Sequence, residues 1–452
     1  MIKPRRIRIE LSTCCNLRCS FCSYRKEALL GLMNTALFQR ILEQLTEFPD
    51  LEEIGLFNIG EPLLHPEFDS MIVTAAAKNL PALFTLSTNA MLLDERKSLT
   101  IIESGIFKRV FISLDAATKA TYQKLRIGGD FELVLSNVRK FLELRKGRKP
   151  FVDLQFILMP ENLTEMEQFI ACWKDYFAAA GEKISLTRKE KCDRIIVFPF
   201  VAETRAEQEK TDRFYHEMVR QGKLPLELTC IPNEEGCRKP CAFLYDLLAV
   251  NFNGNVTPCC TGEKMGRFVI GNALDQSLLE IWNGPVINSY RTFDLAGDYR
   301  EMEICRHCFQ TSRTIPQGNW LSPDRVEKYR IEFPGLFTAP FSEGLNRFRQ
   351  NDFAGAITGF REAYNFNPYL IEAAKHLAIC LQNTGEFREA LTLFEQVLKG
   401  YPQDAVALKG LACCLDNLGE KQRSREIFHK LATGDFPAEI KVEAEKYLTQ
   451  IR

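Results

Sequence analysis

Cys15, Cys19 and Cys22 stand in a C-x3-C-x2-C spacing within Cys15-Asn16-Leu17-Arg18-Cys19-Ser20-Phe21-Cys22, just behind an apolar, strand-like run at residues 7–11. Three thiols so close together meet at one metal centre only if the backbone loops around it. A [4Fe–4S] cube takes four ligands, usually cysteine thiolates. Three protein thiolates leave one iron open to a ligand from outside, as a catalytic zinc site keeps one position for water. The alternative is a zinc knuckle, which wants a fourth Cys or His close by, and His65 is the nearest histidine in sequence. Cys14 breaks the spacing and is read as a non-ligand.

Such a loop needs a scaffold. Short apolar runs at residues 7–11, 53–58, 83–87, 110–114, 152–158 and 183–186 alternate with helical periods at 36–48, 67–79, 94–104, 131–145 and 163–179. Regular β/α alternation predicts a parallel sheet covered by helices, and six units fit a partial (β/α)6 barrel. Chemistry in parallel barrels sits at the C-terminal strand ends. Four polar motifs fall there: Asn58-Ile59-Gly60-Glu61-Pro62, Ser87-Thr88-Asn89-Ala90, Ile112-Ser113-Leu114-Asp115-Ala116 and Tyr122-Gln123-Lys124-Leu125-Arg126-Ile127-Gly128. A carboxylate suits an ammonium, glycine permits close backbone approach, and arginine offers a fork for a carboxylate. Taken singly, each also reads as an ordinary turn or strand end.

Together these segments resemble the radical S-adenosylmethionine (radical SAM) enzymes. Phe21 matches the aromatic of the family's C-x3-C-x-Φ-C loop, and the fold this implies is the partial barrel. The resemblance implies that Cys15, Cys19 and Cys22 ligate a [4Fe–4S] cluster whose open iron chelates SAM. Gly60, Glu61 and Pro62 match the motif that receives the SAM ammonium. Ser87 and Asn89 match the segment near the methionyl group, and Ser113 and Asp115 the one that reaches the ribose and methionyl carboxylate region. Arg126 matches the arginine that pairs with the SAM carboxylate. Three departures stand out: Ile59 for the first glycine of "GGEP", Ala90 for the glycine of "TNG", and Ile127 between Arg126 and Gly128.

Past residue 188 the rhythm weakens, and residues 203–220 read as a charged bridging helix. Cysteines then return. Cys241 is followed by Val250-Asn251-Phe252-Asn253-Gly254-Asn255-Val256, a hairpin around an Asn-Gly turn. Cys259 and Cys260, Ile270-Gly271-Asn272, a short helix ending at Trp282, and Cys305-Arg306-His307-Cys308 follow. This series resembles the SPASM/twitch extension of radical SAM enzymes, a small α+β domain. The shorter, twitch form implies one auxiliary [4Fe–4S] cluster on Cys241, Cys259, Cys305 and Cys308. Four cysteines also make a structural zinc site. Cys230 and Cys237 are alternative ligands, which would permit a second auxiliary cluster, and Cys260 could replace Cys259. A spare Cys260 is also the candidate catalytic thiol for returning a hydrogen atom to a substrate radical, with simple packing as its alternative; Cys192 is a weaker candidate.

From about residue 337 the pattern repeats every 34 residues: Ala356, Ala390 and Ser424; Phe360, Phe394 and Phe428; Gly385 and Gly419; Pro368 and Pro402. This is the tetratricopeptide period. Three helix pairs and a polar capping helix at 438–451 predict an all-α solenoid, commonly a peptide- or protein-binding surface and alternatively a stabilising appendage. Cys380, Cys413 and Cys414 fall at its core positions.

A chain of 452 residues suggests two or three domains, here 1–215, 216–335 and 336–452. A formal charge of −1 gives no basis for a nucleic-acid or membrane surface. No apolar stretch follows the basic start, so no signal peptide is expected, and no run reaches membrane-span length. Sixteen cysteines then point to metal ligation in a reducing cytoplasm rather than to disulfides. The expected function is a radical SAM oxidoreductase or maturase taking a hydrogen atom from a peptide or protein, with the auxiliary cluster accepting or relaying an electron. A flavodoxin or ferredoxin would be the donor. A small-molecule (sugar or cyclitol alcohol) dehydrogenase and a non-catalytic iron–sulfur scaffold are the alternatives.

Overall fold

A computed structural model describes residues 3–22, 30–186, 191–200, 205–223, 231–232, 240–259, 269–297, 313–314, 339–366 and 371–450, with residues 202, 299, 305, 308 and 324–325 besides. The chain divides into two compact units, Met1–Trp282 with Glu303–Leu321, and Asn283–Met302 with Ser322–Arg452.

The first unit is built on β1 (Arg6–Ile9), β2 (Glu53–Gly55), β3 (Leu83–Thr88), β4 (Phe107–Ser113), β5 (Phe151–Leu158), β6 (Ile184–Ser185) and β7 (Asp193–Pro199). Helices α1 (Thr35–Gln44), α2 (Phe68–Ala77), α3 (Glu95–Glu103), α4 (Lys119–Leu125), α5 (Phe131–Arg145), α6 (Met166–Ala179) and α7 (Arg205–Arg220) lie between or after them. Alternation along the strands sorts their faces. Ile7, Ile9, Ile54, Leu86, Val110, Ile112, Val152 and Leu154 are buried core. Among the intervening positions are paired charges: Arg8 meets Glu53, and Asp153 meets both Arg109 and Arg194. Asp94, Thr118 and Asp130 cap α3, α4 and α5 by accepting backbone N–H bonds.

Strand β8 (Ile231–Pro232) lies outside the main sheet, while β9 (Leu247–Val250), β10 (Asn255–Thr257) and β11 (Gly271–Asn272) form the expected hairpin and its continuation, and the sheet order is β11-β10-β9-β1-β2-β3-β4-β5-β7-β6. Two features differ from the expectation. The strand beside β5 is β7, which begins past residue 188, and the run at 183–186 is the outer, two-residue β6. Asp193-Arg194 and Pro199 disguise β7, although Ile195-Ile196-Val197-Phe198 supplies its β-branched and aromatic centre. The hairpin also does not stand apart: β9 pairs parallel with β1, so it extends the barrel sheet. Helices α8 (Phe243–Asp246) and α9 (Leu278–Trp282) flank it.

The second unit contains three helix pairs, α11 (Ala339–Arg349) with α12 (Phe353–Phe366), α13 (Ile371–Thr384) with α14 (Phe387–Gly400), and α15 (Ala405–Asn417) with α16 (Lys421–Thr433). They are closed by α17 (Ala438–Gln450). The repeat positions are its core: Ala356, Phe360, Ala390, Phe394 and Ser424 are fully buried, and Phe428 nearly so. At the corners between paired helices Asn351, Gly385 and Gly419, again 34 apart, take positive φ of 59°, 91° and 86°, as a left-handed helix end requires. First helices of neighbouring pairs approach each other, α13 to α15 and α15 to α17, and so form the inner face. Helix α10 (Pro285–Ala296) belongs to this unit and packs on α13. Phe293 of α10 meets Phe341 of α11 edge-on at 5.5 Å, and Ile287, Ser289, Arg291 and Asp294 are buried as well. The inner face of the first two pairs is therefore occupied by this chain's own helix. Pro285 at the first helical position and Gly297 just past the end were the sequence signal for α10.

Candidate functional site

The cysteine loop is pinned by backbone bonds. Arg18 N–H donates to the Ile127 carbonyl (2.7 Å) and Ser20 N–H to the Leu125 carbonyl (2.8 Å), docking the loop on the end of α4. Glu61 N–H donates to the Cys14 carbonyl (2.8 Å), docking it on the turn after β2. That turn needs glycine: a Cβ on Gly60 would lie 2.1 Å from the Ser12 carbonyl oxygen and 2.6 Å from that of Cys14. Cys15, Cys19 and Cys22 are half-buried and form no disulfide. Burial pushes the Cys19 thiol up, the Arg126 charge opposes this, and the neighbouring Cys15 and Cys22 sulfurs push it further. The three sulfurs thus share one patch. Among the described residues no three Cys, His, Asp or Glu side chains close on a single ion, whereas a cube carries each thiolate on its own iron. Iron loading displaces the thiol protons, so the patch fits a cluster.

Two carboxylates hold the turn. Glu10, at the end of β1 and 1% exposed, accepts from Ile59 N–H and from Gly60 N–H (3.3 Å). Sequence reading missed it, although an acid two residues past Arg8, on the inward alternation of an apolar strand, was a signal. Glu61 is 2% exposed and accepts from Thr88 Oγ1 (2.8 Å), Asn89 N–H (2.8 Å) and Leu63 N–H (3.1 Å). It ties the end of β3 to the turn led by Pro62. Burial pushes its carboxyl up to about 7 against those donors and the Arg126 charge. The folded chain then holds a proton that the unfolded one releases near 4.3. Stability from this group is complete below about pH 4.3 and is lost as pH rises to about 7. Urea denaturation of the apoprotein should show wild type losing stability over this window, by an amount on the order of 1–3 kcal/mol, and Glu61→Gln lacking that slope. Parallel curves would refute it.

The remaining positions meet the loop from the other strand ends. Asn89 donates from Nδ2 to Asn16 Oδ1 (2.8 Å) and lies 3.8 Å from Cys15 Sγ. Ala90 takes φ +60°, the left-handed conformation that glycine adopts freely, with its N–H bonded to Thr88 Oγ1 and its carbonyl to Asn137. Ser87 is half-buried at the end of β3. Ser113 donates to Gln155 Oε1 (3.2 Å), so Gln155 joins the rim, another residue the sequence reading did not single out. Asp115 and Arg126 are buried and paired: Arg126 Nε donates to Asp115 Oδ2 (2.9 Å), while Asp115 Oδ1 accepts from Ile157 N–H (2.7 Å). Asp115 thereby aims Arg126, whose Nη1 lies 3.9 Å from Cys19 Sγ and whose guanidinium is 5.8 Å from the Phe21 ring. Glu165 supports this from behind, accepting from Thr118 Oγ1, Thr121 Oγ1 and two backbone N–H groups at the start of α4.

The second set of cysteines is brought together in part. Cys241 precedes α8 and β9, and Cys259 follows β10; antiparallel pairing of Thr257 with Ala249 puts both at one end of the hairpin. Cys308 N–H donates to the Cys305 carbonyl (3.0 Å), so these two share a turn. All four are half-buried, outside any disulfide, in the first unit. Cys230, Cys237, Cys260 and His307 lie outside the described residues. Cys192 is described, half-buried, with its thiol 3.3 Å from the Asp193 carbonyl. Cys380 and Cys414 are buried in the solenoid.

A parallel α/β sheet with a three-thiol loop and an ion-paired arginine at its C-terminal edge is the architecture of a radical SAM enzyme. Residues 9–172 match the model of the radical SAM superfamily, 241–309 that of the SPASM iron–sulfur cluster-binding domain, and 347–411 a tetratricopeptide repeat. The chain is a radical SAM enzyme of the SPASM type with C-terminal tetratricopeptide repeats. Its cofactors are a [4Fe–4S] cluster, SAM and an auxiliary iron–sulfur cluster. This sets the scaffold alternative aside. It is 25% identical to the tungsten-containing aldehyde ferredoxin oxidoreductase cofactor-modifying protein of Pyrococcus furiosus, over 63% of this chain and 82% of that protein. It is also 25% identical to the AdoMet-dependent heme synthase of Methanosarcina barkeri, over 74% of this chain and 97% of that protein. Among solved structures, Streptococcus suis SuiB bound to precursor peptide SuiA superposes with a TM-score of 0.48 at 15% identity, covering 65% of this chain and 68% of that one. Among the described residues no helix is long and apolar enough to cross a membrane.

Proposed function

We propose that this enzyme abstracts a hydrogen atom from a peptide or protein substrate. The observation that carries the chemistry is the convergence of Cys15, Cys19 and Cys22 with Asn89 and the Asp115-aimed Arg126 at one edge of the sheet. The cluster, when bound, supplies the electron that cleaves SAM to methionine and a 5′-deoxyadenosyl radical. Cys15, Cys19 and Cys22 hold it. Arg126 presents a fixed charge for the SAM carboxylate, Phe21 shields the loop, and Ser87, Ser113 and Gln155 offer polar groups along the rim. In this reading Glu61 and Asp115 act by positioning, since each already accepts from three donors of the protein. Cys241, Cys259, Cys305 and Cys308 would hold the auxiliary cluster, whose chemistry there would be to take or relay the substrate electron, and a flavodoxin or ferredoxin in a reducing cytoplasm would be the donor. For an outcome that inverts a stereocentre, Cys260 is the thiol that returns hydrogen.

The peptide reading is supported by the repeats, a class whose inner surface commonly receives peptides. Here α10 takes the inner face of the first two pairs, so the third pair and α17 remain for a partner. A second reading, a small molecule or cofactor as substrate, is favoured by that occupancy and by two relatives named for cofactor modification and heme synthesis. Deuterium transfer separates them. Anaerobic, reconstituted enzyme with SAM and dithionite is given peptide and small-molecule fractions from cells grown on deuterated medium. Deuterated 5′-deoxyadenosine from the peptide fraction is expected; deuterium from the small-molecule fraction alone would replace the first reading with the second.

A further inference from the structure

Tyr122 lies on α4 one turn before Arg126, so the two side chains leave the helix on one face. Its ring packs against Phe131 at 5.3 Å, the residue is wholly buried, and its hydroxyl has no hydrogen-bond partner among the described residues. Buried tyrosine hydroxyls ordinarily find one, and phenylalanine would fill the same space without a polar atom to satisfy.

What surrounds the hydroxyl narrows the partner. A Cβ on Gly129 would come within 3.1 Å of it, so the turn after α4 closes one side. Its phenol is pushed up to about 12 by burial, with Arg126, Cys19, Asp115 and Asp130 the charges acting on it. Arginine has donors only and accepts no proton. Asp115 already spends Oδ2 on Arg126 and Oδ1 on Ile157 N–H, and Asp130 turns to the start of α5, where it accepts from Glu132 and Leu133 N–H. Cys19 is left: a thiol in the empty chain, but an acceptor once iron replaces its proton. The loop that carries it is docked on the same helix end through Ser20 and Leu125.

We propose that the Tyr122 hydroxyl donates a hydrogen bond to the Cys19 corner of the first cluster, at the thiolate sulfur or a sulfide of the same iron, and raises the cluster's reduction potential. This rests on the radical SAM reading of the loop. Hydrogen bonds to cluster sulfurs are among the determinants of potential, because they stabilise the more negative, reduced state.

The test compares wild type with Tyr122→Phe, full chain, anaerobically, with and without reconstituted iron and sulfide. Without iron the variant should melt at the same or a higher temperature, since it loses only an unpartnered hydroxyl. With iron, and before SAM is added, the cluster whose electron paramagnetic resonance signal later shifts on SAM addition should show a more negative midpoint in the variant. Loading should also raise the variant's melting temperature less than that of wild type. Equal midpoints on equally loaded loops overturn the role of Tyr122 and leave the cluster reading intact. So does a changed SAM affinity with an unchanged SAM-free midpoint, which would give the hydroxyl to SAM. A loop that takes up no iron in either chain overturns both.

Discussion

Changing Cys15, Cys19 and Cys22 together to alanine will reduce 5′-deoxyadenosine formation to background while leaving about half the iron in place. The three sulfurs share one patch on a loop whose backbone is held by Ile127, Leu125 and Glu61, so the substitutions remove ligands without removing the loop's anchors. Half-buried thiols replaced by methyl groups cost little packing, and the apoprotein should melt within a few degrees of wild type, as expected for about 1 kcal/mol or less. The remaining iron, about one four-iron cluster by four-thiolate ligation, is the iron proposed for Cys241, Cys259, Cys305 and Cys308. Two outcomes count against the assignment: a triple variant that still cleaves SAM, or zinc in place of the residual iron.

The second large effect belongs to Asp115. It is fully buried at φ +61°, pairs with Arg126, and also receives Ile157 N–H. Alanine there would leave the Arg126 guanidinium, 5% exposed, without its counter-charge. Removing one partner of a buried pair costs about 3–5 kcal/mol, a large share of a domain's stability. Asp115→Ala should therefore lower the urea midpoint of the apoprotein sharply and abolish SAM cleavage. Asp115→Asn tolerates the left-handed backbone and keeps one acceptor. It should fold, at a cost of about 1–3 kcal/mol, with a raised KM for SAM because Arg126 is aimed less firmly. An Asp115→Ala protein with an unchanged midpoint would show that the pair is not what holds the rim together.

The cysteine loop, the strand-end motifs and the repeats were legible because each is a local pattern with one physical purpose. A 34-residue period reports helix pairs that bury Ala356, Phe360 and their equivalents, and polar residues that close β-strands report a parallel sheet's active edge. What sequence hid was long-range pairing. Nothing local says that Leu247–Val250 lies beside Arg6–Ile9, or that Glu10 reaches Ile59 and Gly60. The roles of Glu61 and Asp115 were hidden for the same reason. A carboxylate in a motif reads as a ligand group until the donors around it are known: here Thr88, Asn89 and Leu63 donate to Glu61, and Arg126 and Ile157 to Asp115.

The membership of α10 in the solenoid unit sets the order of events on the ribosome. The chain leaves the first unit after Trp282, returns with Glu303 and leaves again after Leu321. Helix α10 is therefore made well before α11 and α13, the surfaces it packs on, and Cys305 and Cys308 emerge during the wait. At about 5–20 residues per second, Ile287 and Phe293 spend several seconds without their native cover. A nascent chain paused in that interval presents Ile287 and Phe293 uncovered between two pairs of cysteines, Cys241 with Cys259 and Cys305 with Cys308.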